Sequence, residues 1–176
     1  RGCDKAAEFV SFCDAFNIPV LALVNVKGYK QSKCTERRIA KAAGRLTYAF
    51  ANADVPKVTV VIGEAYGSAY VTMNSKSIGA DIVYAWPDAK IGMMDAAAAV
   101  KIMYAEEISA SDKAAALISE KAAEYEALQS SAAAAAGRGY VDDIIKADET
   151  RQRVIAAFEM LFTKREGRPS RKHGTV

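Results

Sequence analysis

Histidine is almost absent: His173 is the one imidazole in 176 residues. A mechanism that needs a positioned imidazole in the body of the domain is therefore disfavoured, serine-triad chemistry first among them. Cysteine is scarce too. Cys3, Cys13 and Cys34 are too few and too scattered for a metal cage or a disulfide framework, and they suit a reduced, cytoplasmic protein. No apolar run reaches the roughly 18 residues of a membrane span. Neither charge sign dominates. With 24 Lys+Arg against 21 Asp+Glu the net charge is +3, which argues against a dedicated nucleic-acid binder. No repeat of constant period is present. The opening Arg1-Gly2-Cys3-Asp4 carries no initiator Met and no signal-peptide pattern. It leads straight into an amphipathic helix, so the expectation is a domain that belongs to something larger or forms half of an assembly. What remains is ordinary globular composition, 51% hydrophobic and 26% charged, at a length that suits one domain with its own core.

Strands and helices alternate along the chain. Asp4 is placed to cap a first helix whose Ala7, Phe9, Val10, Phe12, Cys13 and Phe16 share an apolar face. Val20 to Val26 is nearly continuous apolar sequence and predicts a strand buried on both faces, as in parallel sheets. After a polar loop through Gly28, a long helix is expected from Cys34 or Thr35 through Phe50, ending near Asp54-Val55-Pro56. Val58 to Ile62 predicts a second buried strand, followed by a small-residue turn, Gly63 to Tyr70, entering a helix. Asp81 to Trp86 and Lys90 to Met94 predict two more strands. Asp95 caps a helix over Ala96 to Glu107. Ser109 to Ala136, rich in Ala, Glu and Lys, predicts a helix or helix pair on the outside. Gly137 to Tyr140 breaks it, Val141 to Ile145 is extended, and Thr150 to Lys164 is a last amphipathic helix bearing Val154, Ala157, Phe158, Leu161 and Phe162 on one side. A basic tail follows. The alternation predicts an α/β fold with a mostly parallel sheet flanked by helices.

Two places repeat one design, a strand running through small residues into a helix: Val60 to Tyr70 and Ile91 to Val100. A helix start leaves backbone N–H groups unpaired and carries partial positive charge. Small residues let a ligand carbonyl come close, so such a place can hold an oxyanion with no ionisable side chain. Simple tight packing explains the same pattern. Ser68 raises a second possibility, an activated serine. Its flanks depart from G-x-S-x-G, with Tyr66 and Tyr70 at the glycine positions, and only His173 is there to act as base. Glu36, Arg37, Arg38 and Lys41 read as a solvated helix face. Asp142-Asp143 and Glu106-Glu107 have no third ligand type nearby, so no metal site is expected. Trp86 reads as core or interface, and Arg138 as part of a helix stop within reach of a phosphate.

The run Phe12-Cys13-Asp14-Ala15-Phe16-Asn17-Ile18-Pro19 resembles the C-terminal domain of biotin-dependent carboxyltransferases. That family includes the β subunits of propionyl-CoA carboxylases and the α subunits of decarboxylases such as methylmalonyl-CoA decarboxylase. The likeness continues, in order, through Leu46 to Phe50, Val55 to Val60, Ala65 to Tyr70, Met73 to Lys76, Ala85-Trp86-Pro87, Arg138 to Asp142 and Thr163 to Glu166. The resemblance implies a crotonase/ClpP-like fold of ββα units over residues 1–176, lacking the family's N-terminal domain and the opening strands of this one. It implies a carboxyl group moving between biotin and an acyl-CoA, with the biotin carried on a partner protein and nothing bound covalently to this chain. It also implies an N-terminal carboxyltransferase half or other subunits as partners, in a homo- or hetero-oligomer. By the same resemblance Ser68 and Ala69 supply backbone oxyanion donors, Gly67 belongs to the same catalytic turn, and Gly28, Tyr29, Tyr66, Met94, Asp95 and Ala96 face biotin or acyl-CoA.

Departures from the family pattern gather at those same positions. Gly67-Ser68-Ala69 stands where the family usually has Gly-Gly-Ala, and Met94-Asp95 where it has Met-Gly. The later glycines, an Arg and a His of the loop after the first strand are replaced by Glu36 to Ala43. The expectation is a carboxyltransferase subunit or fragment of altered specificity. The alternatives are a non-catalytic structural subunit of such a complex and a serine hydrolase using Ser68.

Overall fold

The computed structural model describes residues 1–111 and 113–167. Five strands form one sheet in the order β1-β2-β3-β5, with β4 pairing β2 beyond the end of β3. Every strand pairing is parallel. Helices lie on both faces, as the alternation of elements predicts.

Helix α1, Gly2–Ala15, starts earlier than expected, with Arg1 and not Asp4 at the N-cap. Asp4 sits in the first turn, where a carboxylate is favoured by the helix dipole, and pairs with Arg45 at 3.1 Å. The expected aromatic face is also wrong. Ala7, Val10 and Cys13 are buried against Leu46, Ala49 and Phe50, while Phe9, Phe12 and Phe16 are exposed. Small residues on α1 let the two helices approach closely, which turns the bulky phenylalanines outward. Strand β1, Val20–Val26, is an edge strand and is buried on one face only: Val20, Ala22 and Val24 are inside, Leu21 and Leu23 outside.

The expected long helix is two. α2, Lys33–Glu36, is capped by Ser32, whose hydroxyl accepts from the Thr35 amide at 3.2 Å. α3, Ile39–Asn52, follows a break at Arg37 and Arg38. Strand β2, Lys57–Tyr66, is twice the predicted length, so residues 63–66 are strand and not turn. It reaches that length because it has two successive neighbours. Val58–Val61 pair with β3, Ile82–Ala85, and Glu64–Tyr66 with β4, Lys90–Gly92. Between Val24 and Val26 the β1–β2 register slips. There the Asn25 side chain accepts from the Glu64 amide at 3.0 Å. A Cβ at Gly63 would stand 2.7 Å from that Asn25 oxygen, so glycine is what lets Asn25 fill the gap.

α4, Gly67–Val71, follows β2 without a loop. α5, Ala96–Met103, ends before the predicted Glu107, and α6, Ala105–Ala110, continues after a break at Tyr104. α7, Ala114–Tyr125, buries no residue, consistent with an outside position. It runs into a π-helical turn, Glu126–Ser130, and then α8, Ala132–Gly137. β5 is Asp143–Ile144. α9, Thr150–Met160, lays Val154 and Ala157 on Val58, Val60 and Ile82, with Phe158 and Leu161 partly buried there. Phe162, expected on the same side, lies past the helix end and is exposed. Lys164 clasps this corner, 2.9 Å from Asp81 and 2.8 Å from Glu166. Arg168, Arg171, Lys172 and His173 lie outside the described residues.

Candidate functional site

Where β2 becomes α4 and β4 becomes α5, the two strand-to-helix junctions come side by side, because β2 and β4 are paired through Tyr66 and Gly92. Between them is a cavity of about 610 Å³. Gly28, Tyr29, Tyr66, Gly67, Ser68, Ala69, Met94, Asp95 and Ala96, separated by up to 68 positions in sequence, all line it.

The two junctions differ in one respect. At the first, Gly67 has φ +60°, a left-handed conformation that favours glycine, and a Cβ there would meet the Met93 carbonyl oxygen at 3.0 Å. The close approach of the Met93 backbone therefore depends on Gly67. Tyr66 is the N-cap of α4, and no side chain caps the helix. Its first amides have no intrahelical acceptor, and no side chain among the described residues is bonded to those of Ser68 and Ala69. At the second junction the Asp95 carboxylate accepts from the Ala97 amide at 2.8 Å and the Ala98 amide at 3.2 Å. The start of α5 is thus occupied by the chain's own carboxylate.

Charges surround the cavity in pairs. Lys27 and Glu64 lie 2.9 Å apart, Lys90 and Glu126 2.5 Å. The Glu126 hydrogen bond raises the pKa of Lys90, and burial, followed by Glu64, raises that of Tyr66. Lys27, Glu64, Lys90, Met93, Ala97, Ala122 and Glu126 line the cavity without having been singled out in the sequence. Glu64 shares a strand face with Tyr66 and stands in register with Lys90, so knowledge of the β2–β4 pairing would have found both. Ala122 and Glu126 arrive from α7 and the π turn, inside the helical stretch the sequence predicts, but nothing in the sequence places that stretch over the cavity.

Other candidates find ordinary partners. Ser68 is exposed, and its hydroxyl makes no hydrogen bond among the described residues. The expected base, His173, is outside them. Asp142 is 2.7 Å from Lys76 and accepts from the Val83 amide. Arg138 bonds Gln129, and the Trp86 indole donates to Thr150 at 2.9 Å. Among the described residues no group of three acidic, histidine or cysteine side chains could hold a metal, the cysteines are free, and no helix is long and apolar enough to cross a membrane.

Comparison with known proteins gives this geometry a context. The methylmalonyl-CoA carboxyltransferase 12S subunit of Propionibacterium freudenreichii subsp. shermanii is 45% identical over 172 residues, 97% of this chain and 33% of that protein. The methylmalonyl-CoA decarboxylase subunit alpha of Propionigenium modestum is 44% identical over 174 residues, 98% of this chain and 34% of that one. A crystal structure of transcarboxylase 12S, with methylmalonyl-coenzyme A and methylmalonic acid bound, superposes with a TM-score of 0.92 at 44% identity, over 98% of this chain and 34% of that one. The fold is the crotonase-like α/β architecture that the resemblance implies. The chain spans about a third of the length of the curated relatives it matches. The carboxyl transferase domain pattern matches residues 1–176 from end to end, and this chain, with its paired strand-to-helix junctions, belongs to that family.

Proposed function

We propose that this domain supplies one wall of a site that moves a carboxyl group between biotin on a carrier protein and an acyl-CoA, and that it works with an N-terminal carboxyltransferase half in an oligomer in the cytoplasm. One observation carries the reading: the uncapped start of α4 opens onto a cavity of about 610 Å³, within the usual range for small-molecule sites, in a domain of the carboxyl transferase family. The residues suit biotin. The cavity holds a glycine cradle at Gly67 that a Cβ would crowd, open amides, and a partly apolar wall from Met93, Met94 and Ala96. Biotin, when bound, supplies the ureido nitrogen that gives or accepts the carboxyl group.

The protein's part is then positioning and charge stabilisation. The Ser68 and Ala69 amides point partial positive charge at an oxygen that becomes negative as the α-carbon of the thioester gains or loses carboxylate. Tyr29 holds the loop carrying Gly28 against α4, and Met94 and Ala96 close the far side. No histidine is required for this chemistry.

The Asp95 bonds favour a second reading, a structural subunit without catalysis, because they occupy the amides at the start of α5. One assay separates the two. The chain is mixed with a separately expressed N-terminal half of a 12S-type relative, and carboxyl transfer from methylmalonyl-CoA to biotin methyl ester is followed. Transfer supports the first reading. Complex formation without transfer supports the second. A folded chain that neither associates nor binds biotin methyl ester or acyl-CoA overturns both.

A further inference from the structure

We propose that the Tyr66 phenol is a ligand-binding donor, its O–H bonding a carbonyl oxygen of the bound molecule: the ureido carbonyl of biotin or the thioester carbonyl of an acyl-CoA. This rests on the carboxyl-transfer reading and assigns a role within it that the backbone amides do not fill.

Tyr66 is the last residue of β2 and lines the cavity, yet only 4% of its surface is exposed. A tyrosine buried to this degree ordinarily finds a hydrogen-bond partner. Tyr66 makes no hydrogen bond to any described residue. Nor is its hydroxyl one of the sealed orphans, as the hydroxyl of Tyr70 is. The small part of Tyr66 that remains open therefore includes its polar tip, and the cavity is what it opens onto. Burial at the end of β2 restrains the ring, and the hydroxyl is left unused among the described residues. That is the arrangement of a preorganised donor, which a ligand engages without first breaking an internal bond or ordering a side chain.

Surrounding charges decide which form of the phenol is present and which acceptor it suits. Burial and the nearby carboxylates of Glu64, Glu126 and Asp95 all raise its pKa, and only Lys90 opposes them. The phenol stays protonated at neutral pH and acts as a donor. Glu64 and Glu126 are paired with Lys27 and Lys90, which leaves Asp95 as the carboxylate without a side-chain cation among the described residues. That residual negative charge disfavours a free carboxylate beside Tyr66 and favours a neutral carbonyl. Ser68 is a poorer donor for the same oxygen, since it is exposed and bonds water at no cost.

The test uses the chain as it stands and reads binding and melting, not turnover. Dissociation constants of biotin methyl ester and of propionyl-CoA are measured by calorimetry for the wild type and Tyr66→Phe. Loss of one well-placed hydrogen bond predicts about three- to tenfold weaker binding in at least one arm, and the arm affected identifies the carbonyl. The melting temperature is expected to be unchanged, because no internal bond is lost. If the wild type binds and Tyr66→Phe binds both probes within twofold of it, the proposal fails while the carboxyl-transfer reading stands. A melting temperature several degrees lower in the variant also overturns it, by showing a structural bond. A wild type that binds neither probe removes the reading itself, and the proposal with it.

Discussion

The Tyr29 hydroxyl lies 3.3 Å from the Ser68 carbonyl oxygen and 3.1 Å from Oγ1 of Thr72. The Thr72 hydroxyl is itself directed to the Ala69 carbonyl at 3.0 Å, so Thr72 is left as an acceptor and one Tyr29 proton serves two oxygens. This bifurcated bond ties the loop after β1 to the first turn of α4. Tyr29→Phe should cost less than about 1 kcal/mol in global stability, since the bond is partly solvated. Its larger effect should be local, with faster hydrogen exchange across residues 27–32 and weaker probe binding. Unaltered exchange there would show that the loop is held by something else.

Gly67 sets the path of the chain at the same junction. Gly67→Ala places a side chain in the left-handed region and 3.0 Å from the Met93 oxygen. The expected loss is about 1–2 kcal/mol from the backbone conformation alone, with more from displacing Met93. Gly67→Asn, whose side chain tolerates that conformation better, should fall between the two. Urea unfolding of the three proteins checks the order, and equal stability of alanine and glycine forms would refute it.

Legibility in the sequence followed how local the physics was. Helix and strand order, the Asp95 cap and the two strand-to-helix junctions came from patterns within a few residues. The failures came from tertiary pairing. β1 has the composition of a central strand and yet sits at the edge, and α9, packed on Val58, Val60 and Ile82, leaves its Leu21 and Leu23 uncovered. Phe9, Phe12 and Phe16 fit a helical stripe as well as Ala7, Val10 and Cys13 do, and only the close approach to α3 selects the smaller set. Around the cavity, residues carried by the family likeness were visible. Lys27, Lys90 and Glu126 were not, because each acquires its place from a strand pairing or an ion pair across the fold.

Tyr70 predicts an alkaline limit to stability. Burial, then the neighbouring Tyr140, pushes its pKa up from 10 to about 12. The folded state thus holds the proton more tightly than the unfolded state. The associated stability is fully present below pH 10 and is lost as pH rises from 10 through about 12, a change of about 2–3 kcal/mol at the limit. Its hydroxyl is sealed in the core without a partner among the described residues, so Tyr70→Phe should be neutral or stabilising by about 1 kcal/mol at pH 7. The variant should also show a shallower decline between pH 10 and 11.5 in equilibrium unfolding. A parallel decline in both proteins would locate the alkaline effect elsewhere.

Ser68 separates the two chemistries considered for the first junction. If the α4 amides act, Ser68→Ala leaves carboxyl transfer, with the N-terminal half present, within a few-fold of the wild type. If the hydroxyl is a nucleophile, the same change abolishes an esterase activity measurable with p-nitrophenyl acetate. Wild-type esterase activity that disappears in Ser68→Ala would displace the carboxyl-transfer reading.

Asp95 allows occupancy and charge to be told apart at the second junction. Its carboxylate fills the donors of Ala97 and Ala98 and adds a negative charge to the cavity wall. Asp95→Gly removes both effects and, as glycine is an acceptable N-cap, should cost only a few tenths of a kcal/mol. Asp95→Asn removes the charge and keeps a cap of similar strength, so the amides stay filled. If occupancy blocks the junction, biotin methyl ester binds several-fold tighter to Asp95→Gly and with wild-type affinity to Asp95→Asn. If charge is the obstacle, both variants gain. Binding that is unchanged or weaker in Asp95→Gly would mean that the start of α5 takes no part in holding the ligand, and the open amides of α4 would then be the helix-start donors left to act in the cavity.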